Sequence, residues 1–184
     1  VEAVILMLVQ GMITGAVGIT FAHELMHQKT KLERFLADVL MAMAFYGHFR
    51  TEHVFVHHRY VGTKKDAVTA RFNESFYTFF LRVIPQCLIS AWSVEAQKLA
   101  AKNKSTFSMS NPFYTYAALA SLFVLLSFII GGTYGITLFF IQALVAILHL
   151  EVVNYIEHYG LSRKKISENK YEPTKPHHSW NANH

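Results

Sequence analysis

The sequence predicts an all-α integral membrane protein: transmembrane helices, interfacial helices and a histidine-rich metal site on the cytoplasmic face. Three observations carry that expectation. The 184 residues are 52% hydrophobic and only 16% charged, a balance suited to a bilayer. Val1–Ala22 is apolar apart from Glu2 and Gln10, and Asn111–Leu148 contains no Asp, Glu, Lys, Arg or His. Of eleven histidines, seven sit in tight groups: His23/His27, His53/His57/His58 and His177/His178.

Charge placement sets the topology. All 17 Lys and Arg lie between Lys29 and Lys104 or between Arg163 and Lys175. Loops that stay in the cytoplasm collect Lys and Arg, so both basic segments are expected on that side. Aromatic and basic residues are not interleaved, which argues against nucleic acid as the meaning of the +5 net charge. A single cysteine, Cys87, excludes an intramolecular disulfide and a multi-cysteine metal site.

The elements follow in order. A first transmembrane helix is expected over about 1–22, with Gly11, Gly15 and Gly18 spaced for close helix contact. It carries His23 and His27 just past its end. The next apolar stretch, about 35–49, holds Asp38 and His48 and is short for a crossing, so an interfacial helix is expected. A second interfacial segment covers about 76–92, interrupted by Pro85, with 93–104 as its polar continuation. Helices over about 112–130 and 134–154 form a hairpin around Gly131-Gly132-Thr133-Tyr134-Gly135. The remaining 161–184 is expected to be a polar, irregular tail. The chain is expected to be a single domain over 1–184, truncated at both ends.

His23-Glu24-Leu25-Met26-His27 places two imidazoles on one helix face, as in the H-E-x-x-H of zinc peptidases. The second group adds more donors than one tetrahedral zinc can use. On an α-helix His53 and His57 share a face and His58 lies about 100° round from His57. His158 arrives on the returning arm of the hairpin, with Asn154 one turn earlier and able to position it or a bound water. Six imidazoles, His23, His27, His53, His57, His58 and His158, thus converge on one face. All-nitrogen ligation suits iron as well as zinc or copper, and two irons fit the count better than one zinc. Glu24, Glu52, Glu151 and Glu157 either orient imidazole N–H groups or pair with nearby Arg and Lys. Lys29, Arg50, Arg59 and Arg163 either form a docking face for an acidic electron carrier or are solvated loop charges. His149 is as consistent with a core histidine as with a site role.

At these residues the sequence resembles the membrane-bound non-haem diiron family that includes fatty-acid desaturases, alkane 1-monooxygenase and xylene monooxygenase. His23-Glu24-Leu25-Met26-His27 and His53-Val54-Phe55-Val56-His57-His58 match its first two histidine boxes. Asn154-Tyr155-Ile156-Glu157-His158-Tyr159-Gly160-Leu161 looks like the alkane hydroxylase signature, and His178-Ser179-Trp180-Asn181 fits the segment after it. Met26, Gln28 and Val56 depart from the usual residues of the boxes.

The resemblance implies a multi-pass protein of a bacterial inner membrane, with a cytoplasmic-side site of two non-haem irons. It implies ligation by His23, His27, His53, His57, His58 and His158; Glu24, Asn154 and Glu157 are, from their placement, the candidates to support them. It implies terminal hydroxylation of an alkane with O2 and electrons from rubredoxin or a ferredoxin. A third box, H-x-x-H-H, is expected beyond His184, so these residues alone are not expected to complete the site. The alternatives are a xylene or fatty-acyl hydroxylase or desaturase, and a membrane zinc peptidase with Glu95 as third ligand. A haem-binding or metal-transporting module is a non-catalytic rival.

Overall fold

The computed structural model describes residues 1–168 and 170–180. Asn181 and His184, part of the expected tail, lie outside the described residues. The chain is mostly helical, and two helices, Glu2–Met26 and Phe113–His158, are long and apolar enough to cross a membrane.

Helix α1 spans Glu2–Met26 and contains a π-helical turn at Thr14–Gly18. Its glycines face the last helix directly. A Cβ at Gly11 would lie 2.6 Å from the Gln142 carbonyl oxygen and 2.6 Å from Val145 Cβ; at Gly15 it would lie 2.8 Å from His149 Cβ. Backbones approach this closely only where no side chain intervenes. The contact is cross-linked by polar groups: Gln10 donates to Thr14 Oγ1, Thr14 donates to Gln142 Oε1, and Gln142 donates to the Met43 carbonyl. In an apolar surround each such group needs a protein partner.

Helix α2, Lys31–Met43, begins at Thr30, whose hydroxyl accepts from the Glu33 N–H at 3.2 Å. Arg34 reaches back to the Gln28 and Lys29 carbonyls, tightening the corner just after His27. The helix stops earlier than the apolar run suggests, because Phe45 takes a positive φ of 54° and the chain turns at 44–48. Asp38 is buried in a bidentate pair with Arg50, at 2.5 and 3.1 Å.

Helix α3 covers 49–60 with a second π-helical turn at His53–His57. Helix α4, Phe76–Ala100, begins at a Ser75 cap and runs unbroken through Pro85. An interruption at the proline is expected from sequence. The buried face repeats every four residues, Phe79, Val83, Cys87, Ala91, Glu95 and Leu99, and its packing outweighs the one backbone bond that proline removes. Arg82 turns to the loop before it, binding both carboxylate oxygens of Glu74 and the Ala67 carbonyl.

Helix α5, Phe113–His158, has 46 residues, about 69 Å if straight. It is two arms. Gly132 takes φ 58° and ψ −146°, a backbone open to glycine, and a Cβ at Gly135 would collide with the Ser127 carbonyl, as a reversing chain requires. After it, Lys165–Ser167 (β1) and Lys170–Tyr171 (β2) pair antiparallel, and Pro176–His178 forms one turn of 3₁₀ helix. The tail is therefore more ordered than the sequence suggests. Trp180 fastens it, donating from its backbone N–H to Glu157 and from its indole to Tyr159.

Two apolar clusters organise the packing. One joins Ile19, Ala22 and Met26 of α1 to Met41, Tyr46, Phe49 and Ala146; the other seats Val68 and Ala70 on Phe79, Val83 and Cys87. Replacing Gly11 with Val forces α1 off α5. A cost of about 2–3 kcal/mol is expected, a fall of roughly 4–10 °C in melting temperature in detergent, while Gly131→Ala, which meets nothing within 4 Å, should be near neutral.

Candidate metal centre

Three separate stretches deliver the histidines to one place. His23 and His27 come from the end of α1, His53, His57 and His58 from α3, and His158 from the end of α5. His23, His27, His53 and His58 form one group, with a ligand nitrogen on each lying within 4.8 Å of all the others. His57 forms a second group with His158, ring centroids 4.8 Å apart, and it stacks on His53 at 5.2 Å.

This partition differs from the one an α-helix gives. The π-helical turn pairs residues five apart, so His53 and His58 share a face and their Nε2 atoms stand 2.9 Å apart. His57 is turned away toward Asp66 and His158. The sequence pattern H-x-x-x-H-H is the same in both geometries; the widened turn decides which ring goes where.

Asp66 is the residue that motif spacing misses. Its Oδ2 accepts from His57 Nδ1 at 3.0 Å and from the Thr69 hydroxyl at 2.6 Å, and its Oδ1 accepts from the Val68 N–H. Thr69 Oγ1 in turn accepts from the Gly62 N–H. Holding the proton on Nδ1 leaves the His57 Nε2 lone pair for a ligand bond. The signal available in sequence is slight: Asp66 is the only acid between Glu52 and Glu74.

The expected supporting residues fare differently. Glu24 contacts His23 Nδ1 at 3.2 Å, from an exposed position. Glu157 lies 3.9 Å from His158 Nε2, an ionic contact longer than a hydrogen bond. Asn154 does not reach His158; its amide donates to Glu151, which also accepts from the Tyr46 hydroxyl, so both oxygens of that buried carboxylate are satisfied. Glu52 is fully buried with neither oxygen partnered among the described residues, and desolvation, then Asp66 and Glu151, pushes its carboxyl well above the usual range. Arg50 faces Asp38 and Arg163 faces backbone carbonyls, so neither is a free docking charge.

His178 is buried, with Nδ1 accepting from the Lys175 N–H and Nε2 facing Glu172 at 3.5 Å, so it holds the tail and is not a free donor. His149 packs on Gly15 and lines a cavity of about 290 Å³ between α1 and α5. Ile19, Phe49, Leu150 and Val153 line that cavity together with Thr20, His23, His53, His57, Asn154 and Glu157. Glu95, which a zinc peptidase would need as a ligand, is elsewhere, bonded to Thr51 and Lys98.

The donor set suits a metal. Burial first, then the neighbouring imidazoles, holds His58 at about 4, and the same causes push His53 lower still. Burial and His23 lower His27. These rings are neutral at pH 7 and their lone pairs are available. His158 Nδ1 is buried without a partner among the described residues, a costly state for a polar atom unless something binds it. Such nitrogen-only sites take iron, zinc or copper.

Comparisons with known proteins give the family of the chain. The fatty acid desaturase family model matches residues 2–184. The chain is 38% identical over 173 residues to alkane 1-monooxygenase 2 of Pseudomonas aeruginosa and 41% identical over 174 residues to alkane 1-monooxygenase 1 of the same organism, covering 94% of this chain in each case. It is 33% identical over 172 residues, 92% of this chain, to the xylene/toluene monooxygenase hydroxylase component XylM of Pseudomonas putida. The chain spans a little under half the length of these relatives, 46%, 45% and 44%. With two apolar helices of membrane-crossing length, a histidine cluster built from distant segments and a family match along nearly its whole length, the chain belongs to the fatty acid desaturase family.

Proposed function

We propose that the complete protein is a membrane monooxygenase that converts alkanes to 1-alkanols. The observation that carries this is the placement of two adjoining histidine groups beside a cavity between α1 and α5 that Ile19, Phe49, Leu150 and Val153 line in part. The names of the relatives add the reaction. His23, His27, His53 and His58 would hold one iron, and His57 and His158 would contribute to a second. The pair of ions supplies activation of O2 and insertion of one oxygen atom into a C–H bond; two electrons from rubredoxin or a ferredoxin and two protons convert the other atom to water.

The residues of this chain do the rest. An alkane offers no charge or hydrogen bond, so its binding comes from burial alone, about 0.8 kcal/mol per CH2. Ile19, Phe49, Leu150 and Val153 supply that surface and exclude water along the chain. His23, His53 and His57 line the same cavity, so the reacting carbon is the one that reaches them, and a terminal methyl reaches furthest. Asp66 keeps His57 in one tautomer and one orientation. The basic segments 29–104 and 163–175 favour the cytoplasmic side for this end, within reach of a soluble electron carrier. The spans about 1–22, 112–130 and 134–154 belong to the same proposal.

A xylene or fatty-acyl substrate is the second reading, favoured by the XylM relative. Incubating the complete protein with mixed alkanes and xylene, with an electron donor, should give 1-alkanols as the main products; aryl-methyl alcohols alone would replace the first reading by the second.

His57→Ala or His158→Ala should abolish hydroxylation while the protein still inserts, and full activity in either would remove it from the ligand set. Asp66→Asn should weaken iron binding about 10–100-fold, measured by metal analysis after graded chelation. Acid has a defined window. His58 titrates near 4 in the fold against 6.5 when free, so the unfolded chain takes up its proton first as pH falls. Stability of the metal-free protein should therefore decline as pH falls from 6.5 toward 4, read as melting temperature; a rise over that interval would contradict the assignment.

A further inference from the structure

Arg163 lies five residues beyond His158, in a stretch whose charge suggests a solvated loop. Its side chain is instead turned inward. Nη1 donates to the Arg59 carbonyl at 3.1 Å and the Val61 carbonyl at 3.0 Å, and Nε donates to the Glu172 carbonyl at 2.9 Å. Its backbone N–H donates to the Gly62 carbonyl at 2.7 Å. Gly62 has φ +71°, and a Cβ there would lie 3.2 Å from Arg163 Cγ, so the turn after α3 is shaped around the arginine stem.

The carbonyls of Arg59 and Val61 are at the end of the helix that carries His53, His57 and His58. Helix ends leave such carbonyls without intrahelical partners and carry partial negative charge. A guanidinium with five fixed donors suits several carbonyls at once, where an ammonium does not. The third carbonyl is on the tail, and the same residue's carboxylate accepts from the Lys164 N–H and faces His178. One side chain thus ties together the end of the His57–His58 helix, the segment leaving His158 and the tail that closes over both.

We propose that Arg163 is a positioning residue of the metal centre, fixing His57 relative to His158 and so setting the affinity of the metal position they share. The proposal rests on the ligand assignment above. It bears on the two positions unequally: of the first group only His58 lies on the anchored helix end, while His23, His27 and His53 are held by α1, α2 and the start of α3.

The test is a Co(II) titration of the complete, metal-stripped protein in lipid nanodiscs, followed by ligand-field absorption. The wild type should bind about two ions per chain. Arg163→Gln should bind the first, three of whose four ligands are held elsewhere, within about twofold of the wild type and the second about tenfold more weakly or worse, the range for groups that orient ligands. Arg163→Lys keeps the charge but not the fork; it should weaken the second step less, and it carries the test if the glutamine variant fails to insert. Lys165→Gln, an exposed neighbour, should match the wild type. Wild-type affinity at both steps in the arginine variants would overturn the proposal. So would equal weakening of both steps, which marks a general loss of stability. A wild type that binds no Co(II) would bring down the ligand assignment itself, and the proposal with it.

Discussion

The widened turn at His53–His57 is the constraint on which the rest of the site depends. One helix has to supply three imidazoles to two places, and an α-helix would send His53 and His57 the same way. Shifting the backbone bonds to five-residue spacing brings His53 against His58 and turns His57 to the other side. A second turn of the same kind at Thr14–Gly18 lies below His23 in α1, where Thr14 meets Gln142 and Gly15 meets His149. Both helices that face the centre from the sequence's two histidine boxes therefore carry the same distortion within two turns of a candidate ligand.

Around the rings lies a layer that fixes them without being expected to touch the metal. Asp66 sits in a loop held by Thr69, Gly62 and the Arg82 clamp to α4, so the tautomer of His57 depends on α4 as well as on α3. Tyr46, Asn154 and Glu151 form a satisfied buried network one layer beneath. Glu52 does not share in it, although it adjoins His53 and is fully buried. A protonated, neutral Glu52 is far cheaper to bury than a carboxylate, and the direction of its shift is that of a neutral acid.

Which parts were legible in the sequence follows from the range of the forces involved. Hydropathy marks α1 and the hairpin because membrane burial acts on whole segments, and the glycines at 131–135 mark the reversal because one of them has to adopt a positive φ. The identity of the clustered histidines is legible because their spacing repeats. Their partition is not, since the π-helical turn leaves no composition signature. The continuity of α4 through Pro85 is misjudged from sequence because tertiary packing of a four-residue stripe overrides a local penalty. Asn154 bonds Glu151 where His158 is the expected partner, and Arg163 caps a helix 100 residues earlier in the chain; both choices depend on contacts that no local pattern encodes.

The location of the centre at helix ends has its own physical logic. Six imidazoles and the acids that orient them could not be buried at the middle of a bilayer without large desolvation costs. At mid-length α1 and α5 are joined by glycine contacts and by the short chain Gln10–Thr14–Gln142, whose polar atoms satisfy one another. Above that level the wall of the cavity combines Ile19, Phe49 and Val153 with Asn154, Glu157 and histidines. Polarity therefore rises along the length of α1 and the returning arm of α5 toward one end. The lower part of each helix suits apolar surroundings, while the polar side chains keep their outer partners, loops and solvent only at the top. The same two helices can hold both because each changes character along its axis, and His149 on Gly15 marks where the change occurs.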